Sequence, residues 1–205
     1  MTPKTLPLLH PTPPEWAPEA LQDPLALLSD QAYLEKKAAN NALEFLNLWP
    51  ASRPPQHWLS SIASIARDET AHLQLVLRLL EQRGGTLAKS HKNPYASALQ
   101  GLIRRGKGAQ ELVDRLLVSA LIEARSCERF ERLVESVADK ELFKFYGSLV
   151  SSENGHYRLF LGMAEEIFPA REVEGRWEKF LKEEAEIIQA QPPGPRIHSG
   201  CSRGV

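Results

Sequence analysis

Two Glu-x-x-His tetrads carry the densest chemistry in this sequence, Glu69-Thr-Ala-His72 and Glu153-Asn-Gly-His156. Residues three apart on an α-helix share a face, so each tetrad can aim one carboxylate and one imidazole at a common point. A lone glutamate precedes each tetrad, Glu35 before the first and Glu123 before the second. Together they supply four carboxylates and two imidazoles, the ligand set of a carboxylate-bridged di-iron centre inside four helices. Neither tetrad is specific by itself in a chain with 26 acidic residues and 6 histidines. Position has to decide.

Prolines at Trp49-Pro50 and Arg53-Pro54-Pro55 separate Glu35 from the first tetrad, and prolines there end one helix and let another begin. The midpoint of Glu35 and that tetrad falls near residue 53. An antiparallel hairpin turning at the break brings both to the same depth. The midpoint of Glu123 and the second tetrad falls near residue 139, beside Asp139-Lys140, where the third helical pattern gives way to the fourth. Glu44, Glu128 and Glu131 shift these midpoints away from the breaks. Glu35 also shares helical spacing with Leu28, Ala32 and Ala39, and Glu123 with Leu116, Ala120 and Cys127. A buried carboxylate without a partner is costly, so glutamates on apolar stripes require cations, and two ferrous ions supply them. Asp68, next to Glu69, could hydrogen-bond a ligand histidine.

The elements that must hold these residues are helices. Apolar residues recur at three- and four-residue intervals from Pro24 through Leu46, and again over about 56–83, where Gly84-Gly85 stops the pattern. A long connection over 86–108 has room for a short helix after Asn93-Pro94. Further helices are expected over about 109–136, 139–167 and 171–190. Seven of the fifteen prolines lie in the first 24 residues, which predicts an extended arm over about 1–23. The Pro- and Gly-rich tail over about 191–205 is expected to be extended too. The fold class is all-α: a four-helix bundle of two antiparallel hairpins joined by a long crossover, with an additional C-terminal helix, in a single domain spanning 1–205.

With 205 residues and 42% hydrophobic content, the chain can bury a full core. No run of 18 uncharged apolar residues predicts a membrane span, and Met1-Thr2-Pro3-Lys4 does not open a signal peptide. Cys127 and Cys201 show no metal or redox spacing, which suits a reducing cytoplasm. Cys127 reads as a small buried hydrophobe. Tyr33, Tyr146 and Tyr157 suit either the surroundings of the metals or helix packing. His10, His57, His91 and His198 lack a carboxylate at helical spacing and read as surface histidines. The formal net charge is −1, yet residues 83–110 contain Arg83, Lys89, Lys92, Arg104, Arg105 and Lys107 without one acid. That asymmetry points to a local phosphate-binding surface.

In these residues the sequence resembles the bacterial tRNA 2-methylthio-N6-isopentenyladenosine hydroxylases of the ferritin-like di-iron superfamily. The resemblance covers most of the chain. It rests on Glu35-Lys-Lys-Ala-Ala, Arg67-Asp-Glu-Thr-Ala-His72, Ile122-Glu-Ala-Arg-Ser-Cys-Glu-Arg-Phe130, Ser152-Glu-Asn-Gly-His156 and the tail Pro195-Arg-Ile-His-Ser-Gly200. It implies that Glu35, Glu69, His72, Glu123, Glu153 and His156 are iron ligands. It also implies a substrate, the isopentenylated adenosine beside the tRNA anticodon, and a reaction, hydroxylation of a terminal methyl. An unactivated methyl has no acidic proton, so the chemistry needs oxygen activated at metal and two electrons from an external reductase or carrier. Two other classes share parts of the pattern. An iron-storage or peroxide-handling relative would have the metal site without the RNA. A non-catalytic helical RNA-binding protein would have the basic segment without the metal.

Overall fold

A short N-terminal helix, α1 (Trp16–Ala20), precedes the first long one, α2 (Pro24–Glu44). The structure is a computed structural model and describes residues 6–202; residues 1–5 and 203–205, the outermost parts of the expected arm and tail, lie outside the described residues. Asp23 accepts a hydrogen bond from the Ala26 amide at 3.0 Å, and Pro24 occupies the first turn. This pairing of an acceptor cap with a following proline fixes where a helix starts. A 3-10 turn at Phe45–Asn47 closes α2, and α3 (Gln56–Gln82) returns beside it. Gly84, with φ of 71°, stops α3, as its amide bonds Glu81 and that of Gly85 bonds Leu80, both at 2.9 Å.

The crossover contains α4 (Pro94–Gln100), capped by Asn93 as α2 is by Asp23. It leads to α5 (Ala109–Ser136), which pairs along its length with α6 (Lys140–Glu165); α7 (Ala170–Gln189) then packs on α4, α5 and α6. Asp139 caps α6 through the amides of Glu141 and Leu142 at 2.8 and 3.0 Å. All five long helices and the short crossover helix fall where periodicity predicts. Across the bundle, Asn41 meets Ser119 at 2.9 Å and Glu44 meets Arg115 at 3.9 Å. Numbers rise on α2 as they fall on α5, so these two helices are antiparallel. None of the described helices is long and apolar enough to cross a membrane.

Two apolar clusters fill the bundle. One joins Phe45, Trp58, Ile62, Leu116, Phe160 and Phe180; the other joins Leu27, Leu28, Val76, Leu133, Leu142 and Tyr146. In sequence, Glu35, Glu69, Glu123 and Glu153 all fall between the segments contributing to the two clusters, which makes them a polar belt across a hydrophobic core.

The arm and tail differ from the extended chains expected. The arm forms α1 and buries Trp16, Ala17 and Ala20 against the second cluster. The tail folds back so that Pro193 and Gly200 pair and Ile197, His198 and Ser199 are buried. Trp16 Nε1 donates to Ser199 Oγ at 3.0 Å, and the Arg129 guanidinium lies 4.1 Å from the Trp16 ring centroid. Composition signalled irregular chain, but anchors distant in sequence decide that it is tied down. Gly200 must be glycine, since a Cβ there would lie 2.0 Å from the Gln191 carbonyl oxygen.

Candidate metal centre

Each long helix of the two hairpins contributes to one buried cluster. Glu35 comes from α2, Glu69 and His72 from α3, Glu123 from α5, and Glu153 and His156 from α6. None of the four glutamates is more than 6% exposed. His72 Nδ1 lies 3.7 Å from Glu35 Oε2, 3.7 Å from Glu69 Oε2 and 3.6 Å from Glu153 Oε1. His156 Nδ1 lies 2.8 Å from Glu69 Oε1 and 4.0 Å from Glu153 Oε2. The donors form two overlapping sets, Glu35, Glu69, His72 and Glu153, and Glu69, Glu123, Glu153 and His156, each with ligand atoms within 4.8 Å of one another. Glu69 and Glu153 belong to both.

Burial pushes the Glu35 carboxyl up to about 8 despite the nearby His72 imidazole, and it raises Glu123 and, more strongly, Glu153. Burial would raise Glu69 as well, but His156 and His72 outweigh it and hold that carboxyl at about 2. Burial acts to lower His72, and the Glu35 and Glu69 carboxylates override it, raising the imidazole to about 10. Crowded carboxylates thus compete for too few positive charges. Glu69 Oε1, His72 Nδ1 and His156 Nδ1 are buried with no hydrogen-bond partner. The 2.8 Å separation of Glu69 Oε1 and His156 Nδ1 is short, but its angles are not those of a hydrogen bond. Buried lone pairs facing a shared point fit metal ions. Four carboxylates balance two divalent cations, and mixed oxygen and imidazole donors suit first-row transition metals.

Asp68 Oδ2 is 3.6 Å from His156 Nε2, so it faces the histidine of the opposite tetrad, while its other oxygen accepts from Arg67 at 2.9 Å. The tyrosines divide between packing and the crossover. Tyr146 stacks on Phe130, Tyr157 lies against the first cluster, and Tyr33 donates to the Ala88 carbonyl at 2.6 Å. Cys127 is buried and its thiol is pushed up to about 12 by burial.

A cavity of about 590 Å³ opens between α2 and α5 with α4 along its side; Glu35, Glu69, Glu123 and Glu153 contribute to its wall. The remaining wall includes Gln31, Leu34, Ile122, Ser126 and Phe130, with Lys37, Asn40 and Gln100 among the more polar contributors. The cavity is large enough to admit a modified base. It connects the buried cluster to the crossover, because α4 of the crossover forms part of its wall.

The six cations of 83–110 are not equivalent. Arg83 is engaged by Asp139 and Glu141 at 3.1 and 2.9 Å. Arg104 is clamped by the fully buried Asp114, which also holds Arg176. These two serve the fold through acids outside the acid-free window. Lys89, Lys92, Arg105 and Lys107 are exposed. Two of the histidines expected at the surface are inside. His91 bonds Asp30 at 2.7 Å, and Asp30 accepts from the Ile197 amide at 2.9 Å. His198 stacks on Tyr95 between Asn93 and Ser126, each at 3.2 Å. Gln31 was also missed by the sequence reading, although its place one turn before Glu35 on the same face was the available signal.

A buried layer of carboxylates and imidazoles, drawn from two antiparallel hairpins joined by a crossover, defines a helical protein of the ferritin-like class. The comparisons agree. The chain superposes with a TM-score of 0.86 on a solved structure described as "Protein 43 with aldehyde deformylating oxygenase activity from Synechococcus", at 30% identity, covering 95% of this chain and 96% of that one. Residues 1–199 match the family model described as tRNA-(MS[2]IO[6]A)-hydroxylase (MiaE), and the chain belongs to that family. It is 37% identical to the tRNA 2-(methylsulfanyl)-N(6)-isopentenyladenosine(37) hydroxylase of Pseudomonas putida over 95% of this chain and 93% of that protein. The Salmonella typhimurium protein of the same description is 33% identical over 66% of this chain and 49% of its own length.

Proposed function

We propose that this chain hydroxylates a terminal methyl of the isopentenyl group on 2-methylthio-N6-isopentenyladenosine, 3′ of the anticodon in tRNA. The observation that carries the reading is the pair of overlapping donor sets beside a cavity wide enough for a base, in a chain of the hydroxylase family. Glu35 and His72 would help hold one iron, Glu123 and His156 the other, and Glu69 and Glu153, common to both donor sets, would serve both. The metal pair supplies dioxygen activation, which no side chain here can replace. The reaction balances as R–CH3 + O2 + 2 electrons + 2 H⁺ giving R–CH2OH + H2O, with the electrons from an external reductase or carrier.

The protein's own residues hold the reactants. Leu34, Ile122 and Phe130 offer an apolar wall to the prenyl chain and limit water at the reacting carbon. Asp68 orients His156 from behind the metal site. A nucleotide in a single-stranded loop can splay outward into a protein pocket without breaking a duplex. Lys89 and Lys92 lie on the crossover where Tyr33 pins Ala88 to α2, and Arg105 reaches back to Gln100 of the cavity wall. Lys92 directly precedes Asn93 of the cavity wall and Arg105 contacts Gln100 of it, so exposed cations lie near in the chain to the wall and are available for phosphate contacts to an anticodon arm. Such a substrate places the protein in the cytoplasm.

Nucleoside analysis of tRNA from cells with and without this chain tests the function. The hydroxylated nucleoside should appear only when the chain is present, at the expense of the prenylated one. An identical nucleoside profile in both cells would refute the reading.

A further inference from the structure

Gln31 lines the cavity and is 2% exposed. Its side-chain Nε2 donates to Glu35 Oε1, one turn along α2. A carboxylate bound to metal can only accept, so the amide has one possible orientation: nitrogen to Glu35, oxygen away from it. Gln31 Oε1 is buried and has no partner. The serines of the cavity wall are engaged. Ser119 Oγ donates to the Arg115 carbonyl at 3.0 Å and accepts from Asn41 at 2.9 Å. Ser126 Oγ lies 3.2 Å from His198 Nε2. Among the described residues, the buried cavity-wall atoms without a hydrogen bond are Glu69 Oε1, which belongs to the metal donor sets, and Gln31 Oε1.

An isopentenyl chain carries no hydrogen-bond donor. Packed against Gln31, it leaves the buried amide oxygen unmatched. Replacing one methyl hydrogen by a hydroxyl creates the missing donor, beside the carboxylates where the oxygen is introduced. A buried acceptor left unmatched costs more than an average hydrogen bond contributes, so the site discriminates between the two ligands in favour of the alcohol. We propose that Gln31 is a specificity-determining residue: its amide nitrogen holds Glu35 while its carbonyl oxygen accepts the hydrogen bond of the newly formed side-chain hydroxyl. The inference rests on the hydroxylase reading. It assigns the cavity a selectivity for product over substrate, and it makes departure of the hydroxylated RNA a step that Gln31 slows.

The test is equilibrium binding of metal-loaded protein under argon, where no turnover occurs, to three anticodon stem-loops: unmodified, prenylated and hydroxyprenylated. Wild type should bind the hydroxyprenylated RNA more tightly than the prenylated one. Gln31→Met, similar in volume but without the carbonyl, should reduce that affinity ratio about tenfold, the size expected for one buried hydrogen bond and its unmatched acceptor. A merely structural role would weaken binding of both modified RNAs together and leave the ratio unmoved. An equal ratio in wild type and Gln31→Met would overturn the assignment. If wild type does not distinguish prenylated from unmodified RNA, the hydroxylase reading itself fails, and this inference with it.

Discussion

His156 Nδ1 on α6 sits 2.8 Å from Glu69 Oε1 on α3, so the imidazole of the second tetrad meets the carboxylate of the first. The two hairpins are therefore not independent half-sites. Each tetrad completes the donor set of the other, with Glu69 and Glu153 common to both sets.

Removing a shared carboxylate should disturb both metals. Glu69→Ala and Glu153→Ala should each bind well under two irons per chain and lose hydroxylation. Glu44→Ala should keep its iron, since Glu44 is two-thirds exposed and faces Arg115. Metal analysis of the purified variants measures this directly; full iron content in either shared-ligand variant would mean that the carboxylates do not bridge.

Salt dependence locates the RNA surface. Replacing Lys89, Lys92, Arg105 and Lys107 together by Ala should weaken binding of an anticodon stem-loop across all salt concentrations. It should also reduce the slope of log affinity against log salt by up to about 3. Iron content should be unchanged. Arg83 and Arg104 are unsuitable for this experiment, because each is tied into the fold, Arg83 with Asp139 and Glu141 and Arg104 with the buried Asp114. An unaltered slope would place the phosphate contacts on another face.

Acid should destabilise the fold through His198. Burial, together with Arg129, Arg125 and His91, holds this imidazole well below its ordinary value. The unfolded chain takes up a proton near pH 6.5 that the folded site refuses, so this contribution to stability is intact above 6.5 and is lost as pH falls. The limiting loss is about 1.4 kcal/mol per pH unit from one such group. In thermal melts, His198→Gln should lose less stability between pH 7 and pH 5 than wild type. Parallel losses would show that other groups govern acid sensitivity.

Local signals made most of the fold legible. Asp23-Pro24 and Asn93-Pro94 mark helix starts through a cap and a proline, and Gly84-Gly85 marks a stop, all within a few residues. The six clustered donors were legible because hairpin symmetry converts sequence distance into depth. The arm and tail were not. Trp16 and Ser199 are 183 residues apart, and nothing near either predicts the other. The same holds for the buried pair of Arg125 and Glu184, whose partners are 59 residues apart on α5 and α7. Sequence alone places His91 and His198 at the surface because their partners, Asp30 and Tyr95, lie outside helical spacing. The third-helix and tail strings that mark the family resemblance now have a physical reason. Ser126 meets His198, and Arg129 donates to the Ser199 carbonyl at 3.0 Å, so the strings are two sides of one contact.

Insertion of an atom of dioxygen into the prenyl group of an RNA base leaves a mark in the product's mass. The most direct measurement supplies iron-loaded protein with a reductant, ¹⁸O-labelled dioxygen and a prenylated anticodon stem-loop, then determines the mass of the released nucleoside. A hydroxylated nucleoside carrying ¹⁸O is expected, with no product from an unprenylated loop. A hydroxylated nucleoside labelled only from water, or an unchanged prenylated nucleoside with metal and reductant in place, would contradict such insertion.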